Sequence, residues 1–152
     1  MKILIVCHGN ICRSPMAEGI LRHKLTKANI KHIIVESAGF ESFHVGDSPD
    51  NRAQSVMKKY NIDISEKRAQ LFKVSDFDYF DHIYIMDENN YHFIKSFSRS
   101  ENDMAKTDYI MNTVNPNLNY SVPDPYYGDK DGFELVYRLL ETACDRIIET
   151  II

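Results

Sequence analysis

Four consecutive apolar residues, Ile3-Leu4-Ile5-Val6, open the chain and stop at once in a polar segment beginning Cys7-His8-Gly9-Asn10. An apolar run without polar alternation suits a strand buried on both faces of a parallel sheet, and such a sheet needs helices to cover it. The following residues supply them. Ser14-Pro15 with Glu18 has helix-start chemistry, a hydroxyl cap and Pro in the first turn, and Ala17, Ile20, Leu21 and Leu25 recur at helical spacing toward Asn29. His32-Ile33-Ile34-Val35 predicts a second strand, and Asp50 predicts a cap for a helix over Asn51 to Tyr60. His82 to Met86 predicts a third strand, with a new helix starting in Asp87-Glu88-Asn89-Asn90, and Tyr109-Ile110-Met111 is a weaker fourth strand. The stretch from Asn112 to Asp131, rich in Asn, Pro, Gly and Tyr, reads as a long functional loop. Phe133, Val136, Leu140, Ala143, Ile147 and Ile151 then mark a closing amphipathic helix.

Strands alternating with helices predict a doubly wound α/β fold. The length of 152 residues fits one domain, given roughly 100–200 residues per domain. In such sheets ligands bind beyond the carboxyl ends of the strands, so the loop leaving the first strand is a candidate site before its residues are read.

Composition removes several functions. Eighteen Lys and Arg against 22 Asp and Glu give a net charge of −4, and basic clusters such as Lys58-Lys59 and Lys67-Arg68 are too short for a nucleic-acid surface. No apolar run approaches the roughly 18 residues of a membrane span, and the N-terminal run is too short for a signal-peptide core, so the chain reads as cytoplasmic. Three cysteines, an odd number, favour reduced thiols over a disulfide framework.

Cys7-His8-Gly9-Asn10-Ile11-Cys12-Arg13-Ser14-Pro15 places a cysteine and an arginine at opposite ends of a seven-residue loop that feeds a helix. Such a loop turns backbone N–H groups inward as a nest for a tetrahedral oxyanion, with the helix dipole adding favourable potential. Gly9 lets the backbone turn, and Arg13 can grip two phosphate oxygens. Amides, dipole and guanidinium all favour a charged sulfur at Cys7, a nucleophile aimed at phosphorus. Ser14 is placed to donate to that sulfur. The gap between Cys7 and Cys12 is wrong for a zinc pair, and no metal site is expected. A departing ester oxygen needs a proton, for which Asp124 in Val122-Pro123-Asp124-Pro125-Tyr126-Tyr127-Gly128 is the candidate acid, an ordinary turn aspartate being the equal alternative.

These residues resemble the low-molecular-weight protein tyrosine phosphatases over essentially the whole chain. The phosphate-loop motif is Val6 to Pro15, Ser37-Ala38-Gly39 resembles the second-strand exit, Met86-Asp87 the third-strand exit, and Asp124 to Gly128 the general-acid loop. The resemblance implies one phosphatase domain over 1–152 with a four-stranded parallel sheet flanked by helices, and no cofactor. Its phosphate loop lies between the first strand and first helix. It implies Cys7 as nucleophile, Arg13 as phosphate clamp and Asp124 as acid and then base. His8, Gly9, Asn10, Ile11, Cys12 and Ser14 would surround the phosphate, with Phe43, Tyr126 and Tyr127 walling the cleft. Asn10, Ser14 and Ser37 would form the network behind the loop, and Cys12 would guard Cys7 through a reversible disulfide.

The substrates so implied are tyrosine-phosphorylated proteins, since a deep aromatic cleft admits only the longer ester. Phe43 stands where relatives often carry Trp. Ile11 and the double tyrosine separate the chain from relatives resembling protein arginine phosphatases, which tend to carry Thr at that loop position. Where the family commonly has a His steadying the asparagine network, this chain has Ser65-Glu66-Lys67-Arg68-Ala69-Gln70, and no role is assigned to Glu66 or Lys67. Cys144 lies on the apolar stripe of the last helix and reads as core. Two rival functions share the fold. A thiol-coupled arsenate reductase would need further cysteines between Met86 and Ser100, and none is there. A non-catalytic phosphate-binding module would lack the nucleophile or the acid.

Overall fold

The computed structural model describes residues Met1–Ile151, so the last residue of the expected 1–152 domain lies outside it. Its elements are β1 (Lys2–Cys7), α1 (Arg13–Lys27), β2 (Ile34–Gly39), α2 (Asn51–Lys59), α3 (Asp76–Tyr79), β3 (His82–Ile85), α4 (Glu88–Phe97), α5 (Glu101–Ala105), β4 (Thr107–Tyr109) and α6 (Lys130–Ile151). The four strands form one sheet in the order β2-β1-β3-β4, and every pairing is parallel.

Alternation along β1 explains its unbroken apolar run. Ile3, Ile5 and Cys7 face a core shared with α1, α2 and α6, whereas Leu4 and Val6 face a second core with Phe72, Phe77, Phe80 and Ile94. Both faces are therefore buried, as expected for a central parallel strand. The stripe Phe133, Val136, Leu140, Ala143 and Ile147 of α6 is buried in the first core, and Cys144 with it.

Three local expectations need correction. The second strand begins at Ile34 and runs through Glu36, Ser37 and Ala38 to Gly39. It is an edge strand, so it carries polar residues that a search for continuous apolar runs passes over. The fourth strand is Thr107–Tyr109, while Ile110–Thr113 tightens into a 3₁₀ turn that buries Ile110 and Met111 in the first core. Helix α1 starts at Arg13 with Cys12 as N-cap and no side-chain cap bond. The Ser14 hydroxyl is engaged elsewhere. By contrast Asp50 and Asp87 do cap α2 and α4, accepting from Arg52 N and Asn90 N.

Candidate active site

The chain runs from β1 to β2 on one side and returns past β1 to β3 on the other. The topological switch point therefore lies between β1 and β3. The loop after β1 and the exit of β3 meet there. Arg13, 2% exposed, donates through Nη1 to Asp87 Oδ2 at 2.6 Å and to the Val122 carbonyl at 2.9 Å. Its Nη2 lies 3.5 Å from Asp124 Oδ2. Burial works against the guanidinium charge, yet the Cys7 sulfur, Asp87 and Asp124 together hold its pKa above the ordinary value. With Nη1 anchored, Nε and Nη2 form the edge available for two anion oxygens.

The loop is held from behind by Asn10, which is 1% exposed and takes the left-handed conformation at φ 57°. An asparagine tolerates that region better than most residues. Asn10, and not Gly9, thus makes the turn. The Gln70 N–H can only donate, so the Asn10 atom facing it at 3.0 Å is Oδ1. The two protons of Nδ2 then go to Ser14 Oγ at 2.7 Å and Ser37 Oγ at 3.0 Å. Ser37 donates its own hydroxyl hydrogen bond to Glu18 Oε1 at 2.5 Å. Ser14 Oγ, which accepts from Asn10, lies 3.0 Å from Cys7 Sγ and donates to that sulfur in its thiolate form, and the Ser14 backbone N–H adds a longer bond to the same sulfur at 3.4 Å.

Gly39 is where a missing Cβ is required. A Cβ there would stand 2.8 Å from the His8 carbonyl oxygen and 2.9 Å from Asn10 N. The phosphate-sized loop lies directly on the end of β2, and Phe40 N and Glu41 N both donate to that His8 carbonyl.

One cleft of about 280 Å³ is lined by Cys7, His8, Gly9, Ile11, Cys12, Arg13, Phe43, Asp124, Tyr126 and Tyr127, with Glu41 and His44. Cys7 is 2% exposed at its floor, and Phe43 and Tyr127 stand 80% and 93% exposed at its rim. His44 joins the walls, 5.0 Å from the Phe43 ring and 6.0 Å from the Tyr126 ring. His8 faces Glu41 at 3.7 Å. The buried side chains of Asn10, Ser14 and Ser37 do not line the cleft; they stand behind it. Burial, and secondly the Cys7 charge, push the Cys12 thiol far up, so Cys12 is a neutral thiol beside Cys7. All three cysteines are free.

Several residues here were missed in the sequence. Asp87 clamps Arg13 across 74 positions of chain. Lys67, given no role, donates to the Ser37 carbonyl at 2.8 Å and lies 3.4 Å from Glu18 Oε1. Gln70 Nε2 donates to the same carbonyl at 2.9 Å. A buried Glu18 on the apolar side of a helix was the signal that a cation would be needed. Among the described residues no cluster of three His, Cys, Asp or Glu could hold a metal ion, and no helix is long and apolar enough to cross a membrane.

A buried thiol under an arginine and a carboxylate, in an anion-sized nest, is suited to nucleophilic attack on a phosphoryl group. Known proteins agree. The family described as low molecular weight phosphotyrosine protein phosphatase matches residues 2–152. A putative low molecular weight protein-tyrosine-phosphatase from Synechocystis is 41% identical, covering 99% of this chain and 96% of the relative. The crystal structure of a protein tyrosine phosphatase from Entamoeba histolytica, with Hepes in its active site, superposes with a TM-score of 0.92 at 34% identity, covering 99% of this chain and 96% of that one. A Drosophila arginine phosphatase superposes with a TM-score of 0.88 at 31% identity, covering 99% and 98%.

Proposed function

This chain belongs to the low molecular weight phosphotyrosine protein phosphatase family, and from that premise we propose that Cys7, Arg13 and Asp124 hydrolyse phosphotyrosine in proteins through a cysteinyl-phosphate. The enzyme is a hydrolase of the protein-tyrosine-phosphatase class. The observation that carries the assignment of roles is the convergence of Cys7 Sγ, hydrogen-bonded by Ser14 at 3.0 Å, with an Arg13–Asp124 pair at 3.5 Å in one cleft.

In the first step the Cys7 sulfur attacks phosphorus in line with the ester oxygen. The P–O bond breaks, and Asp124, as its carboxylic acid, gives its proton to the departing phenolate. Arg13 and the loop N–H groups hold the three equatorial oxygens, where charge is largest in the transition state. In the second step Asp124 takes a proton from water while that water attacks phosphorus. The P–S bond breaks, inorganic phosphate leaves, and the sulfur departs as a thiolate stabilised by Ser14. The depth of Cys7 below Phe43, Tyr126 and Tyr127 supports preference for the long, flat phosphotyrosine side chain. The catalytic unit is residues 1–152, tyrosine-phosphorylated proteins are its partners, and free cysteines fit a reducing cytoplasm.

Phosphate release from a phosphotyrosine peptide and from an aryl phosphate, without added metal, tests this reading. Turnover is expected in the native chain and not in Cys7→Ser; an inactive native chain, or an active Cys7→Ser, would sink it. A phosphoarginine peptide cleaved in preference to the phosphotyrosine peptide would overturn the substrate assignment alone.

A further inference from the structure

Asp124 is 42% exposed on a Pro-rich loop. Its carboxylate touches Tyr126 N at 3.1 Å within its own turn and Arg13 at the longer 3.5 Å. Neither contact fixes how far the loop stands from Cys7. Before Asp124 the loop is anchored at Val122, whose N–H donates to the Met86 carbonyl at 2.8 Å and whose carbonyl accepts from Arg13 at 2.9 Å, and beyond Asp124 it is tied from α2. Arg52 Nη2 donates to the Tyr126 carbonyl at 2.9 Å and Nη1 to the Gly128 carbonyl at 3.0 Å, so one planar group ties two points of the acid loop. The same guanidinium is forked onto Asp50, Nε to Oδ1 at 3.0 Å and Nη2 to Oδ2 at 2.8 Å. Asp50 in turn donates its backbone N–H to the Ile11 carbonyl of the anion loop at 2.8 Å. Arg52 Cζ also lies 4.6 Å from the centroid of the Phe133 ring, a fully buried side chain of α6.

We propose that Arg52 is the positioning residue of the acid loop: through Asp50 to Ile11 and through the Tyr126 and Gly128 carbonyls it sets where Asp124 stands above Cys7. The inference rests on the assignment of Asp124 as general acid. A planar group with five N–H donors can serve one carboxylate and two carbonyls at once, whereas an ammonium has three donors and no fixed fork. Arg52 does not line the cleft and touches no reacting atom. Its loss should leave phosphate binding intact and weaken only the step that needs the proton.

The test is kcat/KM for Arg52→Met and Arg52→Lys on p-nitrophenyl phosphate, a good leaving group, and phenyl phosphate, a poor one. A misplacement near 1 Å can cost on the order of a hundredfold, so we expect about tenfold or greater loss on phenyl phosphate against about threefold or less on p-nitrophenyl phosphate. Competitive inhibition by inorganic phosphate should change by less than about twofold, since the anion nest is untouched. In an Asp124→Ala background, Arg52→Met should cost nothing further. Equal loss on both esters in the folded Lys variant, or full additivity with Asp124→Ala, overturns the proposal. If Arg52→Met does not fold, Arg52→Lys carries the same comparison. Failure of the native chain to turn over p-nitrophenyl phosphate would instead condemn the phosphatase assignment itself, so the two failures are distinct.

Discussion

Ser14 Oγ lies 3.0 Å from Cys7 Sγ and, once that sulfur is a thiolate with no proton to give, can only donate to it. The same hydroxyl oxygen accepts from Asn10 Nδ2 at 2.7 Å, a residue four positions earlier whose own orientation is set by the Gln70 backbone.

Ser14→Ala removes that donor. Because the sulfur leaves as a charged group in the second step, kcat should fall by about a hundredfold, comparable to loss of one oxyanion donor. KM should fall in parallel, because an accumulating cysteinyl-phosphate lowers kcat and KM together and leaves kcat/KM unchanged. Burst kinetics on p-nitrophenyl phosphate check it: a larger burst followed by a slower steady rate is expected, and an unchanged steady rate would remove Ser14 from the mechanism.

Gly39→Ala places a methyl 2.8 Å from the His8 carbonyl and 2.9 Å from Asn10 N, both backbone atoms that cannot swing aside. The phosphate loop must lift. Stability should fall by about 1–3 kcal/mol, as for overpacking elsewhere, and affinity for inorganic phosphate should fall with it. A variant with native phosphate affinity would show that the loop tolerates the displacement.

Lys67→Met leaves Glu18 facing Ser37 without its nearest buried cation, Arg22 at 3.0 Å being the more exposed partner. Removing one member of a buried pair can cost about 3–5 kcal/mol, and the remaining Arg22 contact reduces this toward about 2 kcal/mol. Urea unfolding measures the loss. Lys67→His should restore stability at low pH and lose it as pH rises through the imidazole range, because only the protonated ring pairs with Glu18.

Burial raises the Cys144 thiol from 9.0 to about 12. A thiol whose folded value lies above its unfolded one contributes stability that is fully present below pH 9.0 and is lost as pH climbs toward about 12. Unfolding midpoints of native chain and Cys144→Ala should therefore converge as pH rises from 9.0 toward about 12. Parallel curves would mean that the thiolate is accommodated in the folded core.

Legibility followed distance along the chain. The β1 run, the caps Asp50 and Asp87 and the stripe of α6 depend on residues within a turn or a strand of one another, and local patterns are enough to find them. The end of β2 was missed because an edge strand with Glu36, Ser37 and Gly39 does not look apolar, although it is Gly39 that allows the anion loop to lie on it. Ser14 was assigned the cap of α1 by the usual preference of hydroxyls for helix starts, but a buried asparagine and a thiol compete for the same oxygen and win.

Residues 7–14 carry the proposed nucleophile, anion nest and clamp in one stretch of chain, and covalent neighbours need no fold to be brought together. That part of the chemistry was therefore written locally, whereas the proposed acid Asp124 reaches Arg13 only through the fold. The supports were not: Asp87 reaches Arg13, Lys67 and Glu18 meet behind Ser37, and Arg52 links the Tyr126 and Gly128 carbonyls to Asp50. Each pairing joins charges or dipoles from different elements. Their partners are set by how parallel strands and covering helices stack, and buried polar groups accept whichever complementary side chain that stacking delivers.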